Sequence, residues 1–294
     1  MKFSSETRYN LIKYALKNIN LHYMIDNKSS SLNDLLAQNI IVDTLYFTSR
    51  QLDNYDKLLN NRLNRLIHHT ISVMSVEGQY YIEMLQNLLD MMSCNNIGKS
   101  NCLDDIILDN ERDAQLVERC KLYLELYSAR QNKNGQYQDN EIAADRFLFE
   151  KVIKQAAIDL YGKANVKQKI KGVDDIGQSL VADTIIKHDK WQLLLDAKFY
   201  KNRLFKDGKY IYQNNRFQMS SYMTEIRDTQ CVRDDHIMGL IVHAVDSDRY
   251  IQYGEFNGHS MNIGHNMINL ELVNIDCTAE DIIKQIKEII GQYI

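Results

Sequence analysis

The chain has 294 residues, of which 45% are hydrophobic and 25% charged, and its formal net charge is −4. That length and composition allow one large globular domain or two ordinary ones. No apolar run approaches the roughly 18 residues of a membrane span, MKFSSETRYN lacks a secretory h-region, and the acidic balance argues against binding nucleic acid through overall charge, though not against a local basic cleft. The five cysteines, Cys94, Cys102, Cys120, Cys231 and Cys277, show no CxxC spacing and read as free thiols of a reducing cytoplasm. Proline is absent altogether, for which there is no physical account.

The first half reads as helical. Within residues 57–75, Leu59, Leu63, Leu66, Ile67 and Ile71 recur at helical spacing, and YYIEMLQNLLDMM (80–92) continues the pattern. His68 and His69 are adjacent on the first of these and read as a partly exposed pair. Met84, Met91 and Met92 read as core filling. RDAQLVERCKLYLELYSAR (112–130) is another long amphipathic stretch. The polar loop QNKNGQYQDNE (131–141) marks the expected boundary between a helical, partner-binding region (1–135) and a second domain (136–294). That domain opens on the helix EIAADRFLFEKVIKQAAIDLYG, with Gly162 as its C-cap.

The period then shifts from helix to strand. VKQKIKGV, SLVADTIIKHD and WQLLLDAKFY read as strands, the last two as a hairpin over an HDK turn. A helix is expected at about 212–228, then strands HIMGLIVHAV and MINLELVNI. A final helix, TAEDIIKQIKEII, is capped by Thr278 and Asp281. The order predicts an α/β module: a mixed sheet flanked by helices, preceded by a helical region.

Two of the strand runs end in carboxylates. Residues i and i+2 share a strand face, so Asp196 and Lys198 point the same way, and a hairpin partner brings Asp183 alongside. Two neighbouring carboxylates repel, and a hard divalent cation such as Mg²⁺ relieves that repulsion with oxygen ligands. The metal then polarises a phosphoryl oxygen and lowers the pKa of a bound water, while the lysine orients that water or holds the phosphate. The chemistry is phosphodiester hydrolysis. The [DE]-x-K pattern also occurs at Asp26–Lys28 and Asp207–Lys209, but only Asp196–Lys198 follows a buried-strand run. The bland alternative is an edge hairpin with solvated ends.

Gln218 and Tyr222 lie four apart on one face of the next helix, and Glu150, on the helix before the first strand, could offer a third carboxylate. Residues 187–216 hold eight Lys or Arg against three Asp, whereas 101–115 hold five acids and one Arg. Lys187, Lys190, Lys201, Arg203, Lys206, Lys209 and Arg216 are candidate phosphate contacts, which position DNA without reading its sequence.

The order FLFEKV (147–152), VKQK (166–169), VADTII (181–186), LLLDAKFYK (193–201) and NRFQMSSY (215–222) resembles the PD-(D/E)xK nucleases, and within them the McrC nuclease subunit of McrBC-type restriction systems. QMSSY is similar to the QxxxY motif of McrC-like and RecB-like members. The stretch from about 56 to 130 looks like the McrC middle region, and RYNLIKYAL is similar to the start of short McrC chains. Ala182 departs from the pattern, which has Pro before the first Asp. Residues 25–55 are short for the β-rich region that engages the partner in many McrC chains.

The resemblance implies a restriction-endonuclease-like fold and a cytoplasmic endonuclease acting on double-stranded DNA with Mg²⁺ or Mn²⁺. In it Asp183, Asp196 and Glu150 hold the metal, Lys198 acts on the attacking water, and Gln218 and Tyr222 line the site. It also implies an McrB-like AAA+ GTPase that selects and moves the DNA, with a homodimer left open. Two alternatives stand beside it: a stand-alone QxxxY-type nuclease of repair or recombination, and a non-catalytic bridge of AAA+ rings.

Overall fold

The computed structural model describes residues 2–15, 17, 32–54, 61–77, 82–94, 111–130, 140–167, 183–200, 204–206, 209–230, 233 and 236–294. The chain divides into two compact units, Leu16–Asn140 and a second that joins Met1–Ala15 to Glu141–Ile294.

The first unit contains α2 (Leu32–Asn54), α3 (Arg62–Glu77), α4 (Ile82–Cys94) and α5 (Glu111–Arg130). The apolar spacing read from the sequence becomes the buried face of α3, through Leu63, Leu66, Ile67 and Ile71. His68 is buried and only His69 is half-buried, because α3 packs against both α4 and α5. Helix α2 occupies most of the stretch compared above with a β-rich region. Its buried positions Leu36, Ile40, Phe47 and Gln51 follow helical spacing, but Asn39, Asp43, Thr44 and Thr48 share that face and blur the apolar signal. Asn39, Thr48 and Asp43 are met locally or by ion pairs, whereas the Thr44 hydroxyl is buried without a hydrogen-bond partner. Asn39 Nδ2 donates to Leu35 O at 2.8 Å, Thr48 Oγ1 to Thr44 O at 2.8 Å, and Asp43 receives Arg112 at 3.0 Å together with the fully buried Arg119. Burial lowers Arg119 to about 10.

In the second unit, α1 (Ser5–Ala15) lies with α6 (Asn140–Tyr161) rather than with the helical region to which residues 1–135 were assigned. The physical reason is specific. Asp145 accepts from the Phe3 backbone N–H at 2.9 Å and from Arg8 Nε at 2.7 Å, Tyr14 donates to Asp159 at 2.9 Å, and the Phe3 ring meets Phe199 at 5.5 Å.

The sheet of this unit contains β1 (Val166–Lys167), β2 (Thr184–His188), β3 (Trp191–Phe199), β6 (Ile237–Val245), β8 (Asn266–Asn274) and β7 (His259–Ile263), in that spatial order. Strands β3, β6 and β8 run parallel at the centre, and the β1–β2–β3 and β7–β8 pairs are antiparallel. Between β3 and β6 lie a short hairpin, β4 (Phe205–Lys206) and β5 (Lys209–Tyr210), and helix α7 (Gln213–Gln230). After β6 come α8 (Ser247–Gln252) and, at the end, α9 (Ala279–Gly291). The central strands are buried nearly throughout, which is why they read as continuous apolar runs rather than alternating ones.

Helix α7 covers one face, where Met219, Tyr222, Met223 and Ile226 join Ile185, Leu194, Ile241, Leu270 and Leu272 in one apolar cluster. Gly239 lets it approach: a Cβ there would stand 2.7 Å from Met219 Cγ. Phe149 of α6 and Phe3 meet Phe199 on the opposite face. The terminal caps follow the sequence. Gly162 adopts φ 81° where α6 ends, and Thr278 Oγ1 accepts from the Asp281 N–H at 3.2 Å. The mixed sheet flanked by helices, and the helical region before it, agree with the expected α/β architecture.

Candidate functional site

The β2–β3 hairpin builds the site. Its two-residue turn at Asp189 and Lys190 places Asp189 at φ 51°, and the register pairs Thr184 with Leu195 and Ile185 with Leu194. Asp183, one step beyond Thr184, therefore stands opposite Asp196, on the face covered by α7. There Asp183 Oδ2 accepts the Ala197 N–H at 2.8 Å, and Lys198 Nζ lies 2.6 Å from Asp196 Oδ1. Asp196 and Lys198 are 3% and 7% exposed, so the pair is formed away from water.

The charges are not balanced by that pair. Burial, and beyond it the charge of Asp183, holds Asp196 up at about 7, although Lys198 pulls the other way. Burial opposes the charge on Lys198, but Asp196 and then Asp183 outweigh it, so its pKa is raised. Glu150, on α6, belongs to the same cluster. Burial and then Asp183 raise it to about 7, against Arg146, whose Nε donates to Glu150 Oε1 at 3.3 Å, and Lys198. Asp183 thus acts on both Asp196 and Glu150, and Lys198 on both as well. Asp196 Oδ2 is buried with no hydrogen-bond donor. Among the described residues no three His, Cys, Asp or Glu side chains converge as a ready-made metal cage. The donor set nevertheless suits a hard divalent cation: the oxygens are hard, they repel one another, and Oδ2 of Asp196 lacks a partner.

Gln218 and Tyr222 sit on α7 above this face. Gln218 Nε2 donates to Tyr222 Oη at 2.6 Å, and burial raises the Tyr222 hydroxyl, with Asp196 and Asp183 adding to the effect. Asp183 is therefore within electrostatic reach of Asp196, Lys198, Glu150 and Tyr222.

The candidate phosphate contacts separate. Lys206 and Lys209 face each other in the β4–β5 hairpin that follows β3, and Arg216 lies in the first turn of α7. Lys187 and Lys190 lie at the turn end of the β2–β3 hairpin. The partner of Lys187, Gln192, is four residues from Asp196, about 13 Å along the strand. Lys201 and Arg203 lie outside the described residues.

A set of groups beside Lys198 was not anticipated from the sequence. His243 pairs with Lys198 in the parallel β3–β6 register and is fully buried. Tyr200 Oη donates to Asn215 Oδ1 at 3.2 Å, Asn215 Nδ2 donates to Tyr210 Oη at 3.0 Å, and Tyr210 Oη lies 2.7 Å from His243 Nε2. Tyr210 Oη and His243 Nε2 share one hydrogen bond whose donor is set by the imidazole tautomer, and His243 Nδ1 is buried without a hydrogen-bond partner. Burial, and then Lys198, lowers His243 to about 3, so the ring beside Lys198 is neutral. The one signal in the sequence was a histidine inside an otherwise apolar strand, HIMGLIVHAV. No family model matches this chain, and no curated protein matches it.

Proposed function

We propose that the chain is the Mg²⁺-dependent DNA endonuclease subunit of an McrBC-like restriction system, with a restriction-endonuclease-like second unit. The observation that carries this reading is the unbalanced cluster at one strand end: the buried Asp196 and Lys198, half-buried Asp183 and Glu150 beside them, and Asp196 Oδ2 lacking a donor. A purely structural pair would not leave a buried carboxylate with an unmet oxygen and further carboxylates beside it, because an uncompensated buried charge is costly.

Asp196, Asp183 and Glu150 would hold Mg²⁺, or Mn²⁺ in its place. Bound there, the cation would supply Lewis-acid polarisation of a phosphoryl oxygen and a water of lowered pKa. Lys198 is fixed through Asp196 Oδ1, so its remaining N–H donors are free to orient the attacking water or to hold a phosphate oxygen. Tyr222, held by Gln218, closes the α7 side of the cluster. Lys206, Lys209 and Arg216 lie beyond the same strand end and would position the DNA backbone.

A net-acidic chain with local basic patches should bind DNA weakly and without sequence preference, on the order of 10⁻⁴ to 10⁻⁶ M at physiological salt. Target choice would then come from an McrB-like AAA+ GTPase. The test is co-expression with an McrB-like AAA+ GTPase, followed by size-exclusion chromatography with and without a GTP analogue and by cleavage of methylated and unmethylated DNA. A stable complex with nucleotide-dependent cleavage, and poor cutting by the chain alone, is expected. Robust cutting by the isolated chain with no co-elution would favour a stand-alone nuclease.

A further inference from the structure

The hairpin that carries Asp183 and Asp196 at one end carries a row of aromatic rings at the other. Tyr161, the last residue of α6, has its ring 5.2 Å from that of His188. His188 is the cross-strand partner of Trp191, and Trp191 meets His236 edge-on at 5.2 Å. Cross-strand partners project from the same side of a sheet. By strand alternation Trp191 lies on the face opposite Asp196 and Lys198. His188 is exposed, Trp191 is 38% exposed, and Tyr161 and His236 are half-buried.

Two exposed lysines lie beside these rings: Lys163, two residues after Tyr161, and Lys190, next to Trp191. Lys167 and Lys187, paired with Ile185 and Gln192, project from the opposite face, that of Asp196. Flat apolar rings interleaved with lysines match the two chemical halves of a nucleotide: bases stack on rings, and phosphates draw cations.

We propose that this end of the sheet is a binding surface for an unpaired nucleic-acid strand, with bases stacked on Trp191 and His188 and phosphates held by Lys163 and Lys190. A duplex would offer only its phosphates, because its bases already stack on one another. Trp191 is five residues from Asp196 on one strand, about 16 Å, and on the other face. The surface is therefore separate from the carboxylate cluster, and the inference stands without the cleavage reading.

Trp191 is the single tryptophan of the chain, so its emission reports on this surface alone. The experiment titrates the full chain with a short oligothymidylate in EDTA. Saturable quenching is expected, much weaker with a duplex of matched length. Anisotropy of a labelled oligothymidylate should show Trp191→Ala binding roughly five- to a hundred-fold more weakly. Lys163→Glu with Lys190→Glu, both at exposed positions, tests the surface without disturbing the packed interior, and should weaken binding and flatten its salt dependence. Asp196→Ala should bind like the unaltered chain, so a failed cleavage assay and a failed binding assay point to different errors. Unchanged emission, equal quenching by duplex, or quenching that follows protein concentration without any oligonucleotide would each overturn the proposal; the last would mean that the rings meet a second copy of the chain.

Discussion

Each unit buries a cation against a carboxylate, and the two cases differ in what is left over. In the helical unit Asp43, 2% exposed, is flanked by Arg112 and by the fully buried Arg119, so the carboxylate has more than enough positive charge. In the sheet unit Asp196 has one lysine and the carboxylate of Asp183 within reach, and Asp183 in turn acts on Glu150. Both arrangements leave buried polar atoms without a hydrogen-bond partner, the Arg119 guanidinium nitrogens and Asp43 Oδ2 in the first and Asp196 Oδ2 in the second. They differ in the sign of the surplus: two arginines on one carboxylate tie α2 to α5, whereas the strand end gathers carboxyl groups pushed up to about 7, the arrangement that suits a hard cation.

The sharpest test of that contrast is Asp196→Ala. Cleavage in Mg²⁺ should fall on the order of a thousand-fold or more while the fold persists, as followed by circular dichroism. Undiminished cutting would remove Asp196 from the chemistry and the contrast with it. The mirror experiment is Asp43→Ala, which strands a buried guanidinium. It should cost about 3–5 kcal/mol in denaturant titration of the helical unit. A change near zero would mean that Arg119 finds another partner.

The Tyr210–His243 contact offers a smaller, graded test. Tyr210→Phe removes the hydrogen-bond partner of His243 Nε2 and leaves a buried polar nitrogen unmet, at about 1–3 kcal/mol by denaturant titration. His243 also makes the sheet unit sensitive to acid. Its folded pKa is about 3, well below the ordinary 6.5, so between those values the unfolded chain binds the extra proton. Stability from this residue is full above about 6.5 and is lost as pH falls toward 3. His243→Gln should flatten the fall of Tm with acid over that window, and an unchanged profile would show that other groups set it. The smallest expected effect concerns the phosphate contacts. Replacing Lys201 and Arg203 together by Ala should flatten the slope of log K against log salt for duplex DNA by about 1 to 2 units. An unchanged slope would place the duplex elsewhere.

The hairpin cluster was legible in the sequence because it is local. Asp183, Asp196 and Lys198 are linked by a two-residue turn, strand alternation puts them on one face, and Gln218 with Tyr222 needs only helical spacing. His243, Tyr210 and Asn215 were not legible, since they meet Lys198 through a parallel β3–β6 register that closes a loop of more than forty residues. Helix α2 was obscured by the polar residues on its own buried face. The basic stretch 187–216 looked continuous in sequence, yet the turn folds Lys187 and Lys190 away from Lys206 and Lys209, because a hairpin reverses direction between them. The small strand β7 carried no apolar run that could announce it, having only Met261 buried.

The attachment of α1 to α6 has a consequence for how the protein is made. The helical unit interrupts the other one in sequence, so a ribosome releases α1 first and its partner much later. At about 5–20 residues per second, the roughly 125 intervening residues take on the order of 6 to 25 s. During that interval Phe3, Leu11 and Ile12, all buried in the finished protein, have nothing of their own unit to pack on. The inserted helices can complete their own core in the meantime. The nascent chain is thus exposed to misassociation at α1, and slowing translation after Asn140 would lengthen that exposure whereas slowing it before Leu16 would not.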